Sequence, residues 1–337
     1  MKLKPATRNP APDSRGAAVS KGKKPKWERW LWSTWENGGM LILFLALFGY
    51  ACLYVQYFMT ARNLVFSLGL SVTTVGIVSC GMLFCLASGD FDLSVGSVGA
   101  FSGVLVAMLI NHMHGSLLAI PICLAVCALI GTFNGVIIAI FGINALITTL
   151  ATMQIVRGLG YILNNGDSVG TTSDAFAHMG NGVVLGLPIP IWILLACLIV
   201  FGALIHLTTF GRNTLAIGGN KEAARLSGVP TKRIKVMIFA LQALLAGLAG
   251  VVTTAQQQLG DPKQMVGLEL KVISACVLGG VALTGGIGSI YHVIVGVLIM
   301  GTVQNIMDLK DVSTFYQYLI SGSILLAAVL LDRLKRR

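Results

Sequence analysis

Ten apolar runs, each close to the length of a membrane-spanning helix, constrain this chain more than any other feature. A helix needs about 20 mostly apolar residues to cross the hydrocarbon core of a bilayer. The chain is 55% hydrophobic and 11% charged, under half the charged share of a soluble domain. It therefore predicts an all-α polytopic membrane protein of about ten transmembrane helices. The runs lie near residues 38–58, 64–87, 93–111, 117–140, 143–163, 189–208, 234–256, 268–284, 289–307 and 314–331.

Two of these runs, 93–111 and 268–284, are short and glycine-rich, so one or two spans are expected to be short or broken. Five glycines between residues 279 and 288 mark the second of them. Irregular backbone at membrane depth is tolerated where it is buried in protein or lines a cavity.

Positive charge is concentrated in a few segments, and its distribution predicts the orientation. Of 24 Lys and Arg residues, nine lie in 1–29, six in 212–235 and four in 333–337, whereas the loop 164–188 has none. Cytoplasmic segments of membrane proteins are rich in Lys and Arg. With ten spans, both termini and the basic loop 209–233 are cytoplasmic. The net charge of +11 thus needs no nucleic-acid partner, although a basic RNA-binding tail remains an open alternative.

The same patterns divide the chain into three parts. Residues 1–37 are predicted to be a disordered basic cytoplasmic tail that ends in an interfacial tryptophan segment, because Trp and Tyr favour the membrane–water interface. Residues 38–333 form the transmembrane domain, and residues 334–337 are a cytoplasmic C-terminus.

The chain lacks the common motifs of covalent chemistry. It has no G-x-x-x-x-G-K-[ST] phosphate loop, no H-E-x-x-H zinc motif and no G-x-S-x-G nucleophile motif. All seven cysteines lie in apolar runs. We therefore expect no catalytic residue and no metal site. No acidic residue lies at the centre of a span, so a transport function would need an external motor. A secondary transporter or facilitator and a membrane-embedded structural or enzyme subunit remain the rival classes.

One polar stretch between apolar runs, Gly219–Pro230, has the pattern of a short amphipathic helix with a defined start and stop. Asn220 is a suitable N-cap and Gly228 a suitable C-terminal residue. Such a helix could be seated in a groove on another protein, or the stretch could be a solvated loop that only enforces topology. The candidate contact residues are Asn220, Glu222, Ala223, Ala224, Arg225 and Gly228.

Six polar residues in or beside the spans are candidates for a solute path. The two aspartates could instead cap the following helix, the arginine could extend to the outer interface, and the remaining three could bond a neighbouring helix. These residues are Asp90, Asp92, Asn144, Thr148, Thr152 and Arg157.

Four blocks of sequence resemble the permease subunits of bacterial ABC importers, in the ribose/arabinose/xylose/galactose branch. They are residues 81–98, 143–162, 208–230 and 272–290, and the resemblance extends from about residue 38 to the end, apart from 256–267. Within them, Gly-Asp-Phe-Asp-Leu-Ser and Val-Ile-Ser-Ala-Cys are most similar to L-arabinose permeases. Other relatives more often have Gly-Gly-Ile-Asp-Leu-Ser, and Asp-Ala in place of Lys271-Val272.

The resemblance implies the parts that this chain lacks. Two permease chains, expected to be identical, would form a pore in the bacterial inner membrane. Cytoplasmic ATPase subunits would bind ATP and magnesium and grip residues 209–233, the coupling loop. A periplasmic sugar-binding protein would deliver a monosaccharide, with L-arabinose expected and ribose, xylose or galactose as alternatives. The chain itself would be a transport subunit without a cofactor and not an enzyme.

Overall fold

A computed structural model describes residues 26–335, with side chains for residues 39–330. The chain divides into two compact units, Met1–Gly39 and Met40–Arg337. Residues 1–25 of the predicted tail lie outside the described residues, as do the last two residues of the chain. The tryptophan segment belongs to the first helix, which begins at Lys26.

The described residues form thirteen α-helices and four two-residue strands. The helices are α1 (Lys26–Tyr54), α2 (Gly69–Ala87), α3 (Val95–His112), α4 (Ala119–Ala139), α5 (Ala145–Leu163), α6 (Asp174–Asn181), α7 (Ile189–Leu207), α8 (Thr209–Gly219), α9 (Lys221–Leu226), α10 (Thr231–Gln257), α11 (Leu268–Gly279), α12 (Ile290–Leu309) and α13 (Thr314–Lys335). The strands are β1 (Val169–Gly170), β2 (Val183–Val184), β3 (Leu187–Pro188) and β4 (Leu259–Gly260). A π-helical segment, Arg62–Leu68, leads directly into α2.

Seven helices in the described part of the chain are long and apolar enough to cross a membrane. They are the continuous helix Arg62–Ala87 together with α3, α4, α5, α7, α10 and α12. Two shorter apolar helices, Gly39–Tyr54 and Thr314–Leu330, coincide with the first and last predicted runs. The class predicted from the sequence, a helical polytopic membrane protein, is therefore confirmed.

The predicted run 268–284 is the broken one. Its helix, α11, ends at Gly279, and residues 280–289 are non-helical before α12 begins. Gly280, Gly285 and Gly286 all have positive φ, which L side chains rarely adopt, so this segment cannot continue the helix. The other doubtful run, 93–111, is the unbroken helix α3.

The central helix of the larger unit is α10, which packs against α2, α3 and α4. Glycines allow these close approaches. A Cβ atom on Gly131 of α4 would collide with the carbonyl oxygen of Phe239, and one on Gly250 of α10 would collide with the carbonyl oxygen of Gly99. Small residues at helix contacts are the usual means of packing in membranes, where lipid is as apolar as the helix surface.

Two buried asparagines join the π-helical segment to α12. The Asn63 amide donates to Asn305 Oδ1 at 2.9 Å, and the Asn305 amide donates back to Asn63 Oδ1 at 2.8 Å. Asn63 also donates to the carbonyl oxygen of Phe58. The pair satisfies polar groups that would be costly to bury alone.

The loop between α5 and α7 contains structure that the sequence did not predict. It holds α6, the β2–β3 hairpin and strand β1, which pairs antiparallel with β4. In this pairing Val169 lies opposite Gly260, and Gly170 lies opposite Leu259. Two-residue strands leave no periodic signal in a sequence. The β1–β4 pair ties this loop to the segment between α10 and α11.

Candidate functional site

The stretch Gly219–Pro230 contains the short helix α9, and its ends are those predicted from the sequence. Asn220 Oδ1 accepts a hydrogen bond from the Ala223 amide at 3.0 Å, which is the N-cap contact. After Leu226 the chain turns at Gly228, whose φ of +84° suits glycine, and the Val229 amide donates to the Ala224 carbonyl. The predicted helix and both of its boundaries are confirmed.

One side of α9 is exposed and the other is anchored. Ala224 is buried, whereas the Leu226 side chain is 77% exposed. Glu222 and Arg225 form an ion pair at 2.9 Å, with their side chains 69% and 60% exposed. A pair this exposed adds little to stability, so its charges are available to a partner. The arrangement presents an apolar residue and two charges on one short rigid element.

The helix before α9 meets the rest of the bundle by direct backbone contact. A Cβ atom on Gly218, near the end of α8, would collide with the Ala87 carbonyl oxygen and the Gly286 amide nitrogen. The Gly286 amide also donates to the Ala87 carbonyl at 2.9 Å. A Cβ atom on Gly285 would lie 2.9 Å from the Gly218 Cα. We call Ala87, Gly218, Gly285 and Gly286 the backbone junction.

The backbone junction joins three parts of the chain that are far apart in sequence. They are the end of α2, the end of α8 and the glycine-rich segment after α11. Because backbone meets backbone there, no flexible side chain can absorb a displacement of α8. The junction therefore fixes the end of α8 against both other segments.

A buried ion pair connects α10 to the segment between α2 and α3. Lys235 Nζ lies 2.5 Å from Asp90 Oδ2, and the two side chains are 8% and 12% exposed. Lys235 is in the second turn of α10, shortly after Pro230 ends the stretch that contains α9. Asp90 thus has a charged partner, which the sequence does not indicate, because the charge pattern alone predicts only that Lys235 helps to set the orientation of the chain.

Asp92 is the start of a buried polar network that runs across three elements. Its Oδ1 accepts from the Ser94 amide at 2.8 Å and from the Ser94 hydroxyl at 2.6 Å. The Asn134 amide of α4 donates to Ser94 Oγ at 3.3 Å, and Thr152 of α5 donates to Asn134 Oδ1 at 2.5 Å. Two of the predicted path residues, Asp92 and Thr152, are therefore joined through Ser94 and Asn134.

Burial changes the protonation of Asp92. The side chain is fully buried, and its Oδ2 has no hydrogen-bond partner among the described protein atoms. Burial raises the pKa of Asp92 from 3.8 to about 6, against the opposing effect of the two hydrogen bonds from Ser94. The Asp92 carboxyl group therefore keeps its proton to a higher pH than an exposed aspartate does.

The other predicted path residues lie at separate places on α5. Asn144 caps this helix by accepting from the Leu146 amide at 2.8 Å, and the Thr148 hydroxyl donates back to the Asn144 carbonyl at 3.0 Å. Thr148 is buried, whereas Asn144 is exposed. Both side chains thus bond within their own helix, and the contacts do not connect them to Asp92.

Arg157, near the other end of α5, holds the segment between α10 and α11. Its Nη1 donates to the Pro262 carbonyl at 2.7 Å and to the Gln264 carbonyl at 2.8 Å. The guanidinium group therefore fixes a segment that has no regular structure beyond β4. No short-range pattern predicts this pairing, because Arg157 is 105 residues from Pro262 and 107 from Gln264.

Comparison with known proteins places these features in a family context. Residues 64–329 match the protein family described as a branched-chain amino acid transport system / permease component. The L-arabinose transport system permease protein AraH of Escherichia coli (strain K12) is 52% identical over 303 residues, which cover 90% of this chain and 92% of that protein.

Two further relatives span most of the chain. The L-arabinose ABC transporter permease protein AraH of Azospirillum brasilense is 48% identical over 334 residues, or 99% of this chain and 96% of that protein. The ribose import permease protein RbsC of Bacillus subtilis (strain 168) is 40% identical over 262 residues, or 77% of this chain and 81% of that protein. No solved structure gives a significant match.

Proposed function

Because the chain belongs to the family of transport-system permease components that residues 64–329 match, we propose that it forms half of the membrane pore of an ATP-driven monosaccharide importer. It is a transport subunit and not an enzyme, and it is a multi-pass protein of the bacterial inner membrane. L-arabinose is the proposed sugar, since two permeases named for it are 52% and 48% identical to this chain. Ribose is the second candidate, on the similarity to the ribose permease.

The proposed assembly contains two identical copies of this chain, cytoplasmic ATPase subunits and a periplasmic sugar-binding protein. ATP and magnesium are bound by the ATPase subunits. Each permease has ten spans, with α11 as the broken eighth span, and both termini are cytoplasmic. The absence of Lys and Arg from the loop 164–188 and their frequency in 209–233 support this orientation.

The observation that carries the proposed mechanism is the backbone junction. The ATPase subunits hold the exposed side of α9, and closure of the ATPase dimer displaces that helix. Gly218 passes the displacement to Ala87 at the end of α2 and to Gly286 after α11. Displacement of α9 thus moves both α2 and the segment after α11. Alternating access requires such a coordinated movement, and here the partner ATPase supplies the energy for it.

Reconstitution tests this proposal directly. The purified permease, its ATPase and its binding protein are placed in proteoliposomes, and uptake of radiolabelled L-arabinose and D-ribose is measured with and without ATP. ATP-dependent uptake of L-arabinose, absent when the ATPase cannot bind nucleotide, is the expected result. Preferential uptake of D-ribose would instead identify the second candidate.

Two further measurements separate the rival classes. Sugar entry through the permease alone, driven by a proton or sodium gradient, would indicate a secondary transporter and overturn the proposal. In the full complex, Glu222→Ala and Gly228→Pro should uncouple ATP hydrolysis from uptake. The first removes one of the two charges on the exposed side of α9. The second disrupts the end of the helix, because proline cannot adopt the positive φ of Gly228. Asp167→Ala, at an exposed position in another loop, is the matched control for charge loss. Normal transport by both α9 variants would show that this helix does not couple the ATPase to the permease.

A further inference from the structure

Lys271 lies where four helices meet, between two small cavities. It is in the first turn of α11, and its side chain is half-buried. One cavity, of about 70 Å³, lies between Lys271 and residues of α2, α12 and α13. The other, of about 50 Å³, lies between Lys271 and residues of α12 and α13. Three polar residues, Lys271, Gln304 and Ser321, line both cavities.

The Lys271 ammonium has no ion-pair or hydrogen-bond partner among residues 39–330. The carboxylate of Asp308, one turn after Gln304 on α12, accepts hydrogen bonds from the amides of Gln304, at 3.1 Å, and Gln317, at 3.0 Å. Ionisable residues within predicted membrane spans are rare, and such residues often mark solute and ion pathways. The three donors of Lys271 therefore remain available to water or to a solute.

The amides beside Lys271 are held in fixed orientations. Gln304 Nε2 donates to Gln317 Oε1 at 2.7 Å as well as to Asp308. Gln317 Nε2 donates to the Val312 carbonyl at 2.9 Å as well as to Asp308. With its amide nitrogen engaged, Gln304 presents its Oε1 as an acceptor. A fixed acceptor therefore lies beside an uncommitted cationic donor.

This combination suits a neutral sugar. Each sugar hydroxyl both donates and accepts, and small-molecule sites are mostly apolar clefts with a few well-placed polar groups. The larger cavity has that composition, since valine and methionine side chains surround Lys271, Gln304 and two serines. Cavities of this size hold a few waters, which the hydroxyls of a sugar would replace as the path opens.

We propose that Lys271 and Gln304, oriented by Gln317 and Asp308, form a transient contact site for the monosaccharide within the permease. This site rests on the proposed function and adds to it the residues that touch the sugar within the permease. Lys271 donates to a sugar hydroxyl and Gln304 accepts from one, so the permease contributes to the choice of sugar.

The first test compares two lysine variants in the reconstituted complex of permease, ATPase and binding protein. Lys271→Met shortens the unbranched side chain by one atom and removes its charge. Lys310→Met removes one charge from an exposed lysine near the end of α12 and is the matched control. Loss of a hydrogen bond to a charged group should lower ATP-driven L-arabinose uptake about tenfold in the first variant. Stimulation of ATP hydrolysis by the binding protein should be unchanged in both.

The outcomes separate this inference from the proposed function. If the wild-type complex takes up no monosaccharide, the proposed function fails. If the wild type transports and Lys271→Met transports at the same rate, only the contact site is overturned.

A second measurement covers the case in which Lys271→Met is poorly folded. Lys271→Cys and Leu270→Cys are treated in the assembled complex with a charged methanethiosulfonate reagent, with the wild type as the baseline for the native cysteines. Leu270→Cys is the comparison variant, because Leu270 directly precedes Lys271 on α11 and its side chain is 51% exposed. Lys271→Cys should react, and L-arabinose delivered by the binding protein should slow that reaction severalfold. A reaction at this position that sugar leaves unchanged, or no reaction, would overturn the inference.

Discussion

Lys235 Nζ and Asp90 Oδ2 lie 2.5 Å apart in a nearly buried ion pair, which connects the first turns of α10 to the segment between α2 and α3. The two residues are 145 positions apart in sequence. Since α10 begins at Thr231, within the basic segment 209–233, this pair is a second connection, besides the backbone junction, between that segment and the region that follows α2.

Removing either member of this pair should destabilise the protein strongly. Asp90→Ala and Lys235→Ala each leave one buried charge without its partner, at a cost of about 3–5 kcal/mol. The double variant removes both charges and should lose less than the sum of the two. Thermal unfolding of the detergent-purified protein measures these losses, with the exposed Lys232→Ala as control. Additive losses in the double variant would contradict the pairing.

The raised pKa of Asp92 predicts a pH dependence of stability. Between about pH 4 and pH 6 the folded protein keeps a proton on Asp92 that the unfolded chain has released, so stability falls as the pH rises through this window. Above pH 6 Asp92 is ionised in the folded protein, and the free energy of unfolding is lower by the full cost of burying that charge. This cost is about 3 kcal/mol for a pKa shift from 3.8 to about 6.

Asp92→Asn should remove this slope. The amide oxygen of asparagine can still accept from Ser94, but it carries no charge at any pH. Unfolding temperatures measured from pH 4.5 to 8 should show a smaller decline in this variant than in the wild type. Asp174→Asn, an exposed acid at the start of α6, should leave the decline unchanged. An equal slope in Asp92→Asn and wild type would contradict the assignment.

Adjacent glycines at the end of α8 provide a matched pair for the backbone junction. Gly218→Ala would place a methyl group against the Ala87 carbonyl and the Gly286 amide, whereas Gly219→Ala meets nothing within 4 Å. Overpacking of this kind costs about 1–3 kcal/mol. We expect Gly218→Ala to transport fewer sugar molecules per ATP hydrolysed, and Gly219→Ala to resemble the wild type. An equal ratio of uptake to hydrolysis in the two variants would contradict transmission through the junction.

Arg157 should control the order of the segment between α10 and α11. Arg157→Met removes two hydrogen bonds to carbonyl groups, each worth about 1.5–3 kcal/mol. Hydrogen–deuterium exchange of residues 258–267 should accelerate in this variant. Arg62→Met changes an exposed arginine on another element and should leave that exchange unaltered. Unaltered exchange in Arg157→Met would mean that β1–β4 alone orders the segment.

The features that the sequence predicted are those with local signals. Span lengths follow from runs of apolar residues, and the ends of α9 follow from Asn220 and Gly228, each of which acts on the backbone within a few residues. The break after α11 likewise follows from a cluster of glycines. Such signals need no knowledge of which helices are neighbours.

The contacts that build the candidate site have no local signal. In the sequence, Lys235 cannot be distinguished from the neighbouring basic residues that set the orientation of the chain. Asn134 is one of few polar residues in an apolar run. Gly218 differs in its packing from Gly219 only through segments more than sixty residues away. These roles depend on which helices meet, and one sequence does not encode that in any short pattern.

The reciprocal amide pair of Asn63 and Asn305 has a consequence for how sequences of this kind can change over time. Each side chain supplies both a donor and an acceptor to the other. A change at either position alone leaves buried polar atoms of the other asparagine without their partner, whereas two apolar replacements of similar shape leave only the Phe58 carbonyl without its bond from Asn63. The mutational route between these two solutions passes through a less stable intermediate. We therefore expect the two positions to vary together among related permeases, which an alignment of their sequences would test.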